Sequence, residues 1–342
     1  MTPSFDNNQQ KMIPASVLEK LVTKLLVHDE RESLRASFIE LVDELYQPKT
    51  IQLFSSGLRG IVSHRGQNMA EVAVHDILNP DLDEVVLSQE DSLLLAVETA
   101  EIQLMIADAT SVHLYVPLMQ GSVVGSVLLL RNVSFHIVDD FIWQYLLIAY
   151  NNLNRMLFSA EIDALTGLMN RLAFDRLLQH QSAADDKSLG SDKNTYFALA
   201  DIDFFKKIND NYGHLYGDEV LILLARAMSE SFRSMDWLFR YGGEEFAIVL
   251  VDVTQGETSH ILERFRHKIE TMTIPQVGQI TVSIGFSQMQ KLEPVSSLVD
   301  RADNALYYAK HNGRNKLFFY EDLREQGLLD GNATETNQVE LF

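Results

Sequence analysis

The sequence predicts an α+β protein in two parts, and three observations carry that reading. First, its 342 residues exceed one ordinary domain and suit two. Second, the N-terminal part shows helical periodicity followed by a strand hairpin, a mixture that fits a compact α+β unit. Third, the C-terminal part alternates strands and helices in a βαββαβ order, the ferredoxin-like arrangement.

Each element follows from local pattern. Residues 14–45 read as two helices, the first with apolar Val17, Leu18, Leu21, Val22, Leu25 and Leu26. Strands are expected at "TIQLFSS", "VHLYVPLMQ" and "SVVGSVLLLR", the last two forming a hairpin about Gly121. The run "YVPLMQGSVVGSVLLL" followed by a long helix resembles a GAF domain, a look that PAS modules share. No His/Cys cluster or Gly-rich phosphate loop marks its ligand. Residues 1–137 are assigned to this sensor-type domain, and residues 138–162 to a helical connector. Along the connector, Leu146, Tyr150, Leu153, Leu157 and Ala160 recur at steps of three or four, a seam expected to pair with a second copy. The second part takes residues 163–321. It opens on the helix "LTGLMNRLAFDRLLQHQ" and a polar loop. Then come the strand "TYFALAD", the helix "YGDEVLILLARAMSESF", the strands "WLFRYG" and "FAIVLVDV", the helix "SHILERFRHKIETM", the strand "QITVSIGFS" and the helix "SLVDRADNALYYAKHNG". Residues 322–342 are expected to be a disordered tail.

Composition narrows the class. Hydrophobic residues at 46% support real cores, and the absence of cysteine excludes a disulfide framework or thiolate metal site. The N-terminus lacks a signal-peptide pattern and no apolar run approaches the ~18 residues of a membrane span, so a cytoplasmic protein is expected. A net charge of −20 argues against nucleic acid and anionic membrane as partners. It does not exclude a small anionic substrate, because local cations can invert the potential of one cleft.

The chemistry gathers where strands end in acids. In "ALADIDFFKKINDNYGHLYGDE", Asp201 and Asp203 are expected to face opposite sides of the sheet, so that one joins Glu244 in a shared site. Glu244 lies at the turn of "RYGGEEF", where Gly242 and Gly243 are expected to supply positive φ and close approach of a ligand. Two carboxylates with carbonyl and phosphate oxygens suit octahedral Mg²⁺. Adjacent acids alone are weak grounds, since most are simply solvated.

Five motifs occur in order over the second part: "DALTGLMNR", "DIDFFKKINDNYGHLYGDE", "RYGGEEF", "TVSIGFS" and "RADNALYYAKHNGRN". Together they resemble the GGDEF family of diguanylate cyclases, the name-giving motif standing here as GGEEF. The resemblance implies a magnesium enzyme, with manganese as a possible substitute, that condenses two GTP into cyclic di-GMP. It implies Asp201, the Ile202 carbonyl and Glu244 as metal ligands, with Glu244 also the candidate base for the 3′-hydroxyl. It assigns Asn209 and Asp218 to guanine, and Lys206, Lys310 and Arg314 to phosphates. Phe204 and Phe205 contribute backbone amides or packing there, and Arg240 is expected to steady transition-state charge. Glu245 reads as a turn-stabilising carboxylate, His214 as a loop-ordering residue, and Asp163 with Asn170–Arg171 as a brace to the connector. "RSMD" places Arg233 and Asp236 in register with the family's product-inhibition site, with Arg264 as its second arginine.

Because each domain holds one GTP, the resemblance implies a homodimer, with an unidentified signal acting on the N-terminal domain. A different class of reading, a silent module that binds GTP or cyclic di-GMP as a receptor, is disfavoured by the presence of Asp201, Glu244, Lys206, Lys310 and Arg314. A relaxed cyclase making a mixed adenine–guanine product is disfavoured by Asp218.

Overall fold

The computed structural model describes residues 19–20, 23–56, 69–79, 82, 84–121, 123–183, 194–233 and 235–329. The chain divides into two compact units, residues 1–160 and 161–342. Of the first expected helix, residues 14–18 and 21–22 lie outside the described residues. Among the described residues no helix is long and apolar enough to cross a membrane.

In the first unit, helix α1 (Arg31–Tyr46) buries Leu34, Phe38, Leu41 and Val42, an i, i+4, i+7, i+8 stripe. It stops at Gln47, whose φ of 46° forms a left-handed cap bonded back to the Asp43 carbonyl. Strands β1 (Thr50–Ser55), β2 (Ala73–Asp76) and β3 (Val85–Val86) precede helix α2 (Asp91–Thr99). After β4 (Gln103–Ile106) comes the expected hairpin, β5 (Ser111–Gln120) with β6 (Val123–Ser134). The sheet runs β3-β2-β1-β6-β5-β4. β5 and β6 are buried on nearly every residue because helices cover both faces. One face carries α1 and α3 (Phe141–Ala160); the other carries Leu93, Ala96 and Val97 of α2. β2, β3, α2 and β4 were not expected from sequence, being short and weakly patterned.

The connector reading changes here. Its helix begins at Phe141, after a 3₁₀ segment over Phe135–Asp139. Leu146 and Tyr150 lie in the unit's own core, with Leu153 and Leu157 packed against it. The seam assigned to a second copy is therefore covered by α1 and the sheet of the same chain.

In the second unit, helix α4 (Arg171–Ala183) starts later than expected, because Asn170 caps it and residues 163–168 form a turn. The chain continues through β7 (Asn194–Ile202), α5 (Phe205–Tyr212), α6 (His214–Ser231), β8 (Trp237–Arg240), β9 (Glu245–Val253) and α7 (Gln255–Thr271). A short ribbon, β10 (Thr273–Ile274) with β11 (Gly278–Gln279), leads to β12 (Val282–Gln288), α8 (Val295–His311), β13 (Leu317–Phe319) and α9 (Tyr320–Glu325). The sheet order β13-β12-β7-β9-β8 contains the expected ferredoxin-like core, extended by β13 parallel to β12. Ala198, Ala200 and Ile202 of β7 pack with α6 and α7 on one face, while Phe197 and Leu199 pack with α4 and α8 on the other. The second unit runs past residue 321, contrary to expectation: Leu323 of α9 is only 2% exposed.

Candidate active site at the hairpin tip

β7 stops at Ile202, and its neighbours β9 and β12 place Glu245 and Ser283 directly opposite Asp201. The loop Tyr241–Glu244 between β8 and β9 is closed by the backbone amides of Tyr241 and Gly242, which donate to the Glu245 carbonyl at 2.8 and 3.1 Å. Neither glycine of the loop has positive φ, contrary to expectation. What Gly242 needs is space: a Cβ there would stand 2.5 Å from a Glu245 carboxylate oxygen. Gly243 faces open space.

Asp201 and Asp203 do not face opposite sides. They are two residues apart, so strand alternation already favours one side. The Asp203 carboxylate reaches the hydroxyl of Ser283, the residue that stands opposite Asp201. Asp203 differs by its partners. Its oxygens accept from Ser283 Oγ at 2.7 Å, Thr281 Oγ1 at 2.6 Å and the Asn315 amide at 2.9 Å. It fastens β12 and the turn after α8 to the end of β7, and the bonds leave little lone-pair capacity for anything else.

Asp201 is buried and pairs with Lys310 Nζ of α8 at 2.8 Å. Even so its carboxyl is pushed up to about 6: burial outweighs the ammonium, and Glu245 and Asp203 add negative charge. Glu244 is pushed up to about 7, first by burial and then by the charge of Asp201. The tip therefore holds more buried negative charge than Lys310 neutralises. This donor set fits a hard divalent cation, and the Ile202 carbonyl belongs to the strand end that carries Asp201. Among the described residues no group of three or more His, Asp or Glu side chains forms a metal cluster. An ion here would be held by two carboxylates, a carbonyl and oxygens from outside the chain.

The other expected residues fall into three groups. Beyond β7, Phe204 has a φ of 60° and turns the chain into α5. Its half-exposed ring lies under Lys207 Nζ at 4.4 Å and under the Arg314 guanidinium at 4.3 Å. Phe205 is a core residue and Lys206 is exposed. Lys207 was not expected to take part; the doublet "FFKK" was the available signal. The Arg314–Asn315 backbone, at positive φ in both residues, is held by Asp203 and by Asn315 bonds to Glu270 and Arg266. On the helical side, the Asn209 carboxamide presses on Gly217: a Cβ there would stand 2.0 Å from Asn209 Oδ1. That contact sets Asn209 beside the exposed Asp218. His214 begins α6 and is not in a loop.

Arg240 is engaged away from the tip's carboxylates. Its Nη1 lies 3.2 Å from both Asp163 oxygens, and its Nη2 donates to the Gly243 carbonyl at 2.9 Å. Asp163 also accepts from Thr166, and these bonds hold its carboxyl below the ordinary range against the pull of burial. Met169 bridges to Phe239, Asn170 Oδ1 caps α4, and Arg171 covers the Tyr241 ring at 4.7 Å. These contacts tie residues 163–171 to the β8–β9 turn within the second unit, and Arg240 belongs to them as a residue that positions the turn.

Far from the tip, Asp236 is buried and accepts from the Arg233 backbone amide at 2.8 Å, closing a turn while the Arg233 side chain is exposed. Arg264 donates to the Ser231 carbonyl at 3.1 Å, which brings it to the same helix end.

Residues 160–316, which carry this ferredoxin-like core with paired carboxylates at a Gly-Gly hairpin tip, match the family model described as diguanylate cyclase, GGDEF domain. The second unit is a GGDEF domain. Diguanylate cyclase DgcM of Escherichia coli is 39% identical over 164 residues, covering 46% of this chain and 38% of that protein. Diguanylate cyclase A of Treponema denticola is 39% identical over 176 residues, covering 50% and 47%. The chain thus spans less than half the length of these curated relatives. A solved structure of the coiled coil and GGDEF domain of DgcB from Caulobacter crescentus, in complex with c-di-GMP, is 32% identical, covers 49% of this chain and 90% of that one, and has a TM-score of 0.46.

Proposed function

We propose that this chain condenses two GTP molecules into cyclic di-GMP with release of two pyrophosphates. The observation that carries the proposal is the shared charge of Asp201 and Glu244, delivered from β7 and the β8–β9 tip, which exceeds what Lys310 neutralises. A divalent ion, magnesium in this reading, would be held by Asp201, the Ile202 carbonyl and Glu244, and would supply charge compensation to the phosphates and acidify the attacking 3′-hydroxyl. Lys206, Lys310 and Arg314 would hold phosphate oxygens, with Phe204 keeping Arg314 in place. Asn209 and Asp218 would read guanine, whose N1 and N2 donors suit a carboxylate acceptor. Glu244 would also be the candidate base for the 3′-hydroxyl. Arg240 and Asp163 would hold the turn in register. Ring closure needs two such sites, so a homodimer is part of the reading. Product binding near Arg233, Asp236 and Arg264 as feedback, and control by a GAF-like first unit, complete it.

The test is direct. Purified full-length chain incubated with GTP and magnesium is expected to yield cyclic di-GMP by mass spectrometry, and Glu244→Gln to yield none while still binding GTP. A wild-type product other than cyclic di-GMP, or a fully active Glu244→Gln, would refute the assignment.

A further inference from the structure

The first unit contains a pocket of about 60 Å³ between the N-terminal turn of α1, the tip of the β5–β6 hairpin and the C-terminal half of α3. Its described lining is polar and includes Arg31, Arg35, Gln120, Ser126, Tyr150 and Asn154, with no acidic residue.

Three of its features point to one ligand chemistry. Arg31 and Arg35 bring two guanidiniums to one small space. Arg31 Nε bonds Asn154 Oδ1 at 3.3 Å and its guanidinium lies over the Phe158 ring at 5.0 Å, so its head is oriented rather than loose. Arg35 has a contact to Glu32 at 3.8 Å, too long for a hydrogen bond. The third feature is Tyr150. It is 2% exposed, stacks on Phe38 at 4.2 Å, and its hydroxyl has no hydrogen-bond partner among the described residues. Burial pushes that hydroxyl up to about 12 against the two arginines, so it stays protonated and is available as a donor. Asn154, in contrast, already gives its amide to the Met119 carbonyl at 2.7 Å and serves as a fixed wall.

Guanidinium groups and a hydroxyl donor facing one small space form a receptor for an oxyanion, since carboxylate and phosphate oxygens accept from Arg in its fork geometry. Volume sets the size. At roughly 15 Å³ per water-sized position, about 60 Å³ holds on the order of four waters, enough for one oxyanion group and too little for a nucleotide. We propose that this pocket binds the carboxylate or phosphate group of a small anion, gripped by Arg31, Arg35 and Tyr150. The occupant would tie α1 to α3, and the site stands independently of the cyclase reading.

The experiment measures thermal midpoints of the full chain against rising inorganic phosphate in one series and malonate in another, each against sodium chloride at matched ionic strength. The expected result is a saturable rise with at least one of the two anions that is lost in Arg31→Gln/Arg35→Gln; which anion acts at lower concentration tells phosphate from carboxylate. An anion bound at the GGDEF domain would act equally on both proteins. Equal responses in wild type and variant, or no response to either anion, overturn the proposal. Should the double variant fail to fold, Tyr150→Phe decides: loss of one neutral hydrogen bond lowers the apparent affinity about fivefold, and an unchanged affinity overturns it.

Discussion

Two hairpin tips, one in each unit, place polar groups at the edge of a hydrophobic sheet, and they carry opposite charge. The β5–β6 tip lies beside Arg31, Arg35 and the Tyr150 hydroxyl, with no acid among the described residues lining that space. The β8–β9 tip collects Glu244 and Glu245 beside Asp201, with Lys310 as the paired cation. Both hold ionic groups partly out of water, where each interacts more strongly than it would in solvent. The difference shows that the scaffold supplies partial burial while a handful of side chains decide the sign, and thus the ligand. A net charge of −20 describes neither tip.

The largest expected effect comes from removing the brace that only the acidic tip has. Asp163→Ala strips Arg240 of its carboxylate, and Arg240 Nε is already buried without a partner. A half-buried unpaired guanidinium is expected to cost about 2–3 kcal/mol in urea unfolding of the second unit. Arg240→Met combined with Asp163→Ala is expected to recover part of that loss. Strictly additive losses in the double-mutant cycle would show that the pair is not coupled, and would separate the turn from residues 163–169.

Next in size is the penalty for crowding acids. In metal-free buffer, Glu244 and Asp201 titrate near 7 and 6 when folded, against ordinary values of 4.5 and 3.8. The folded state therefore binds more protons, so this contribution is complete below the unfolded values and is lost as pH rises through the folded ones. Wild-type stability should fall between about pH 4 and pH 7 from these groups. Glu244→Gln should then be more stable than wild type at pH 8 by about 1–2 kcal/mol, after discounting for partial solvent screening, and should lose that advantage by pH 4. Urea melts at the two pH values check it; a variant no more stable at pH 8 would mean the carboxylates are not crowded. Loss of turnover together with gained stability is what a site under electrostatic strain produces.

How much of this was legible follows from what each signal depends on. The long strands β5, β6, β7, β9 and β12 show in the sequence because burial on both faces demands apolar runs. Helix α5 was missed because "FKKINDNY" is polar and short, and only Phe205 and Ile208 enter the core. Asp201 and Glu244 could be named from motif order, and the shared side of Asp201 and Asp203 was legible too, since residues i and i+2 of a strand point the same way; only their different partners depend on the neighbouring strand. Arg240 is a related case: its partner Asp163 lies 77 positions earlier in the chain, and no local pattern announces it. The seam on α3 misled for a reason of periodicity. A helix packed on its own sheet and a helix packed on a second copy both show apolar residues at steps of three and four.

The smallest effect tests a feature the two units share, an arginine laid over a phenylalanine ring: Arg31 on Phe158 at 5.0 Å, and Arg314 on Phe204 at 4.3 Å. Phe204 differs in carrying a second cation, Lys207, and in being half-exposed, where such a contact is worth about 0.5–1 kcal/mol. Phe204→Leu keeps the apolar bulk and the left-handed backbone but removes the ring's negative face, so Arg314 is less well held before substrate arrives. If Arg314 contacts phosphate equally in ground and transition states, KM for GTP rises about two- to fivefold with kcat unchanged, and Phe204→Tyr restores it. A fall in kcat at constant KM would instead place Arg314 against charge that develops only in the transition state. Unchanged kinetics would make the stacking incidental, leaving Lys310 as the cation that pairs with a carboxylate of the acidic site among the described residues.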